Sequence, residues 1–505
     1  MQQILNVSNR KQLFIDERWF ASQQGMTLTV NPPIKTEQVL LPETPWENHG
    51  IHGYSNVMDD DGVYKMWYDA IAEGFDVKPE RRALCYATSS DGIHWERPNV
   101  NVFDWEGNPN TNIVMPGANG SVMKDPNGPD EHRYKGLVII KENDAWEESR
   151  GCICGSYDNG YYLELYLVTS PDGIHWKRQS PCALPFFHDT QNLLLFDEKL
   201  GRYAAYVRWS SPGRGRCVAR VELDNPLDLP WPFITHPDSQ RGPGLSRARK
   251  GDELPVVLLS DESDPSDTDL YTPSVVNYPW AEDAYFSFTT PYRHYPYGDT
   301  ADTTLHGKDS RGRFRNDGPV EVQLAVSRDG ISWNRPDRQP YIPLGLAGEW
   351  DGGQVYIANG MIRKGNEIWQ YYCGTHYTHG AYDAAEGDRS GGVGRLVQRL
   401  DGFVSADAAY TGGEFTSPLL QFSGEQLTLN VNCSAMGEVW VEIQDETGQA
   451  IPGYTMSESI SVDRNHIAAP VRWQENDHVA ELINRPIHLH FKLRACKLYA
   501  FQFSD

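Results

Sequence analysis

A chain of 505 residues is too long for one ordinary core and implies a large domain with a smaller one. Its formal net charge of -24 repels phosphate backbones and excludes nucleic acid as an expected partner. No run of about 18 apolar residues occurs and no uninterrupted apolar stretch opens the chain, so the sequence reads as soluble and cytoplasmic, with no membrane partner.

Residues 1–50 hold the strand-like stretches LFIDERWF and MTLTV and are expected to close or pack on the domain that follows. A repeating pattern then begins. In the first unit YSNVM (54–58) is a strand, DDDG a turn and VYKMWY (63–68) a second strand, after which RALCYA runs into TSSDGIHW at Thr88 to Trp95. The second unit has GSVM (120–123), the turn KDPNGPDEH, RYKGLVII, and YLELYLV leading to TSPDGIHW at Thr169 to Trp176. A third, HDTQNLLLF, RYAAYVR and GRCVARVEL, has lost the box. The fourth runs DLYTPSVV, AYFSFTT, VEVQLAV and then VSRDGISW at Val326 to Trp333. The fifth is QVYIANGMI, EIWQYYCG and GGVGRLVQRLDGF.

Apolar alternation before each box marks a strand end, and Asp-Gly suits the turn that follows. Asp hydrogen-bonds nearby backbone N–H groups and Gly accepts positive φ. Asp91, Asp172 and Asp329 are therefore structural. Asp125 of K-D-P-N-G likewise reads as a hairpin turn.

One four-stranded sheet leaves an apolar face uncovered, so such units stack around an axis as blades. The expected fold is all-β, a five-bladed β-propeller over 51–406. Beyond it, short strands such as QLTLNVNC, EVWVEIQD and KLYAFQF predict an antiparallel β-sandwich over 407–505. The eight cysteines are scattered and Cys152-Ile-Cys154 has neither redox nor zinc-knuckle spacing, so free buried thiols are expected.

Five units, three of them carrying S-x-D-G-x-x-W boxes, followed by a sandwich resemble the five-bladed propeller glycosidases, the group of invertases, inulinases, levansucrases, arabinanases and xylosidases. The resemblance covers nearly the whole chain as architecture. Its motifs differ: D-P-N-G follows a first strand in the second unit, and no R-D-P or E-C segment succeeds it, so no catalytic residue carries over. The resemblance implies a divergent relative that cleaves a terminal sugar, a furanoside among the candidates, by carboxylate acid and base catalysis, exo-acting rather than endo-acting. A non-catalytic carbohydrate-binding propeller and a glycoside phosphorylase or transglycosylase stand as alternatives. The 15 Trp and 26 Tyr suit a carbohydrate partner, whose C–H faces stack on rings.

In a propeller the innermost strands line the channel, and ligands sit where those strands begin. Asp189 and Asp269 lie at equivalent depth in their units and are the expected catalytic carboxylates, with Asp351 or Glu349 of GEWDGG as the third acid. Expected sugar contacts are His52, Asp69, His188, Gln191, Arg208, Tyr271, Tyr292 and His376. No cofactor is expected. His188, His376 and His379 can hold a divalent ion on the axis, but no spaced ligand motif accompanies them. Nothing in the sequence sets an oligomeric state.

Overall fold

The computed structural model describes residues 3–75, 78–142, 162–184, 188–211, 215–235, 252–296, 317–381 and 390–505. It is all-β, with short 3-10 turns as its only described helices. Each repeat unit folds as an antiparallel meander. The first comprises Gly50–Asp60, Val63–Ile71, Arg82–Ser89 and Ile113–Pro116; the second Ala118–Lys124, Tyr134–Glu142, Tyr162–Ser170 and Lys177–Arg178. The third comprises Leu193–Asp197, Arg202–Ser211, Gly215–Leu223 and Val256–Leu258, and the fourth is built on Val275–Asn277, Tyr285–Thr289, Val322–Ser327 and Trp333–Asn334. The fifth, Gln354–Ile357, Glu367–Thr375 and Ser390–Arg399, takes its fourth strand, Ile34–Leu40, from the other end of the chain.

First strands neighbour one another in chain order, and Gln354–Ile357 lies between Val322–Ser327 of the fourth sheet and Gly50–Asp60 of the first. Ser390 and Gly391 also pair in parallel with Gly50 and Ile51, so the fifth and first sheets are continuous.

Two kinds of hydrogen bond recur between neighbouring sheets. An aromatic residue on a second strand donates to the Gly carbonyl of the next sheet's box: Trp67 Nε1 to Gly173 (2.7 Å), Tyr206 to Gly330 (2.8 Å) and Tyr371 to Gly92 (2.7 Å). In return, a tyrosine near the start of a second strand donates to an aspartate at the end of the previous sheet's first strand: Tyr134 to Asp60, Tyr203 to Asp125 (2.8 Å) and Tyr285 to Asp197 (2.9 Å). A buried carbonyl or carboxylate without such a donor loses its hydration uncompensated, so these bonds fix the spacing of the sheets.

The box aspartates are turn residues. Asp91 Oδ1 accepts the backbone N–H groups of Ile93 and His94, both at 2.8 Å, and Asp172 repeats this with Ile174 and His175. Gly92, Gly173 and Gly330 all take positive φ, as Asp-Gly turns require. Asp125 accepts the N–H of Asn127 (2.9 Å) and also holds the buried Lys135 ammonium and Tyr203.

Two further sheets share one core. Gln426–Asn432, Cys496–Ser504, Val404–Ala408 and Asn465–Pro470 form one, and Gly413–Thr416, Glu438–Gln444 and His488–Arg494 the other. Glu438–Gln444 alternates strictly, turning Val439, Val441 and Ile443 inward. The amino-terminal segment is shared between the two parts. Ile34–Leu40 joins the fifth sheet, while Gln12–Leu13, Met26–Val30 and Ser22–Gln24 pair with the carboxy-terminal strands, and Phe14, Trp19 and Met26 extend that core. Leu13, Ile15 and Val30 pack with Phe286, Phe288 and Phe403, joining this part to the fourth and fifth sheets.

Candidate functional site

In an antiparallel meander the start of the first strand, the end of the second and the start of the third lie at the same end. That geometry sets the ionic pairs around the axis. In the first sheet Asp69 nears the end of its strand and Arg82 opens the next, so the guanidinium grips the carboxylate through Nε (3.0 and 3.1 Å) and Nη2 (2.5 Å). In the third, Arg208 and Arg216 stand on neighbouring strands, two residues apart in register and on the same face. Arg208 pairs with Asp189. Arg216 reaches across to the short strand Thr268–Leu270 of the fourth unit, which pairs with Pro291–Arg293, and its Nη1 (2.5 Å) and backbone N–H (3.0 Å) both bind Asp269. His294 Nε2 lies 2.8 Å from the same carboxylate.

Aromatic rings wall this group. Tyr271 stacks edge-on with Tyr292 (5.7 Å between centroids) and with His379 (5.0 Å), and Tyr356 lies 6.2 Å away. Tyr54 donates to the Tyr271 hydroxyl (3.3 Å), Tyr356 contacts His379 Nδ1 (3.1 Å), and Tyr377 contacts His52 Nε2 (2.8 Å). The Arg216 guanidinium lies over the faces of Tyr271 and Tyr292, 5.0 and 5.5 Å from their centroids. Tyr54 has φ of 99° where the first strand shifts register between His52 and Asn56. A tyrosine held there is strained, and strain of this kind gathers at functional sites.

Burial raises the Asp269 carboxyl, but His294 and Arg216 outweigh it and hold the group below the usual carboxylate range. Asp69, wholly enclosed, is pushed up by burial against the pull of Arg82. Burial, with the like charge of Arg216 added, lowers Arg208 to about 9. Burial lowers His379 to about 3, helped by Arg216, His294 and Arg208, and does the same to His52, so both imidazoles are neutral at neutral pH. The Asp189 side chain is 32% exposed against 10% for Asp269, which makes Asp189 the more accessible carboxylate.

The structure therefore groups Asp189, Asp269, Arg208, Tyr271, Tyr292, His52 and Asp69 about one end of the axis. It does not bring Asp351 or Glu349 there. Asp351 is buried between Lys35 Nζ (2.7 Å) and the Tyr372 hydroxyl (2.9 Å), and Glu349 caps its own turn by accepting the Leu346 N–H (2.9 Å). A third axial acid is not supplied by GEWDGG, because that segment is spent on tying the strand Ile34–Leu40 to the fifth sheet. His376 also departs from expectation. It is exposed, with its ring against Tyr377, while the neighbouring Tyr377 and His379 turn inward. His188 is buried, its Nδ1 2.7 Å from the Arg208 carbonyl, and Gln191 accepts from Ser274 (2.7 Å). Both lie behind the ionic pairs. Arg82, Arg216, Tyr54, Tyr356 and Tyr377 are the additions. For the two arginines the signal was a charged residue opening a third strand beside a charged residue closing a second, as in Asp69 with Arg82.

Among the described residues no group of three or more His, Cys, Asp or Glu side chains converges as a metal site, and no helix is long and apolar enough to cross a membrane. A separate cavity of about 410 Å³, lined by Val221, Phe233, Ile234, Val257 and Ile331 among others, lies on the outer strands of the third sheet, away from the axial group.

No family model and no curated protein matches the chain. Solved structures do. A Bombyx mori GH32 beta-fructofuranosidase is similar over 94% of this chain and 95% of its own, with a TM-score of 0.42 and 11% identity. An N-acetylgalactosamine deacetylase from F. plautii, in complex with blood group B trisaccharide, covers 75% and 97% at a TM-score of 0.41 and 13% identity. A structure described under the GH130 family of mannoside phosphorylases and glycoside hydrolases covers 81% and 99%, with a TM-score of 0.39 and 15% identity.

Proposed function

We propose that the chain is a glycoside hydrolase whose five meanders are the blades of a propeller, over about 51–406, and whose two further sheets are a β-sandwich carrying 407–505 with part of residues 1–50. The observation that carries the reading is the gathering of Asp189 and Asp269, from neighbouring sheets, at one ring-walled end of the axis. Glycoside hydrolysis needs one carboxylate to attack the anomeric carbon or activate water and one carboxylic acid to protonate the leaving oxygen. Asp269, held ionised by His294 and Arg216, is assigned the first role. Asp189 is assigned the second: its ion pair with Arg208 must open as the sugar binds, after which desolvation favours the protonated form. Tyr54, Tyr271, Tyr292 and Tyr356 are buried against one another and wall the ionic pairs, and a terminal sugar, furanosides included, is the proposed occupant beside them.

A glycoside phosphorylase is the second reading. It is favoured by the neighbouring guanidiniums of Arg208 and Arg216, which suit an oxyanion co-substrate. Both readings are tested by one screen of aryl arabinofuranosides, fructofuranosides, xylosides, fucosides and galactosides, with and without inorganic phosphate. Turnover independent of phosphate is expected. In folded Asp189→Asn and Asp269→Asn proteins the rate should fall by roughly 10²- to 10⁴-fold. Unchanged rates in both would overturn the site, and saturable sugar binding without turnover would make the protein a binding propeller.

A further inference from the structure

Cys433 and Cys496 come from strands 63 residues apart in sequence (496 less 433) and meet at one edge of the carboxy-terminal sheets. Gln426–Asn432 and Cys496–Ser504 are antiparallel, with Asn432 opposite Lys497, so the next pair in register is Cys433 opposite Cys496. The Cys433 N–H goes to the Arg464 carbonyl (2.7 Å) and its C=O accepts from Gly437 (2.8 Å). The two cysteines therefore face one another as a non-hydrogen-bonded pair, the kind in which Cα atoms come to about 4.5 Å and side chains are closest. That spacing falls within the range a disulfide spans without backbone movement. Both residues are buried; the Cys433 thiol lies 3.6 Å from the Val462 carbonyl and the Cys496 thiol 3.0 Å from the Arg494 carbonyl.

We propose that Cys433 and Cys496 are a dithiol pair that closes to a disulfide when the protein meets a low-molecular-weight disulfide such as oxidised glutathione. The Cys496 thiolate attacks one glutathione sulfur, forming a mixed disulfide and releasing one glutathione thiolate. Cys433 then gives its proton to solvent and attacks the Cys496 sulfur; the protein disulfide forms and a second glutathione leaves. Two protein thiols are oxidised by two electrons and one glutathione disulfide is reduced to two thiols. The neighbouring Cys433 lowers the Cys496 thiol and so favours the attacking thiolate. The bond would fasten the end of Gln426–Asn432 to the strand that also pairs with Gln12–Leu13, closing a loop that spans most of the carboxy-terminal sheets.

The full chain is to be incubated in a glutathione redox buffer, both folded and during refolding from urea, then alkylated in denaturant and mapped by mass spectrometry without reduction. The expected result is a peptide joining Cys433 to Cys496, absent after dithiothreitol treatment and in Cys433→Ser, where Cys496 is recovered with glutathione attached. Cys433 and Cys496 both recovered alkylated, or each carrying glutathione, in both preparations would overturn the proposal.

Discussion

Asp91 and Asp269 are both turn or strand-end aspartates in sequence, yet their surroundings assign them opposite work. Asp91 binds the two backbone N–H groups of its own turn and the ring of His94 (2.7 Å). Asp91→Ala should cost about 1 kcal/mol of stability and leave the chemistry intact, read as a lower melting temperature with an unchanged initial rate. Buried imidazoles give a second expectation. His52, His188 and His379 are lowered to about 3, chiefly by burial, whereas an unfolded histidine titrates near about 6.5. Below that pH the unfolded chain binds protons that the folded chain refuses, so the stability present above about pH 6.5 is lost as pH falls towards about 3. His94, raised by Asp91, works the other way but is exposed. The denaturant midpoint should therefore drop between about pH 7 and about pH 5, above the range where unpaired carboxylates titrate; a flat midpoint there would contradict it. Asp189, Asp269 and Arg208 were legible as residues that close or precede recognisable strands. The partner of Asp351 was not, because the lysine that takes its charge comes from residue 35, over 300 positions away.

The element scale is where the repeats showed most in the sequence. Box, turn and alternation gave each meander its strands, since these are local properties of a few residues. The bonds between meanders were not legible, because Trp67, Tyr206 and Tyr371 look like ordinary core aromatics until the neighbouring box supplies a carbonyl. Tyr206→Phe keeps the ring and removes the donor to Gly330, a bond that also sits beside Arg220 (2.9 Å). It should destabilise by about 1–3 kcal/mol, the cost of an unsatisfied buried acceptor, measured as a shift in urea midpoint at constant slope. No shift would mean that apolar packing alone spaces the sheets.

Across the whole molecule, the two ends of the chain are woven together. Ile34–Leu40 completes the fifth sheet, Met26–Val30 pairs with Val404–Ala408, and Gln12–Leu13 pairs with Cys496–Ser504. Composition and repeats announced two parts but not this exchange, which depends on pairings between residues hundreds of positions apart. A protein lacking residues 1–41 would expose the sheet edge at Ser390–Arg399 and part of the shared core. It should be recovered as aggregate or melt well below the full chain; a truncated protein with an unchanged melting temperature would show that the segment only decorates the surface.

The central claim is that chemistry resides on the axis and not in the repeated boxes. The deciding measurement is the turnover number of Asp269→Asn beside that of Asp91→Ala, on one substrate and at a temperature where both are folded. The account predicts a loss of about 10²-fold or more for Asp269→Asn and an unchanged rate for Asp91→Ala. A well-folded Asp91→Ala protein that has lost its turnover, with Asp269→Asn fully active, would contradict it.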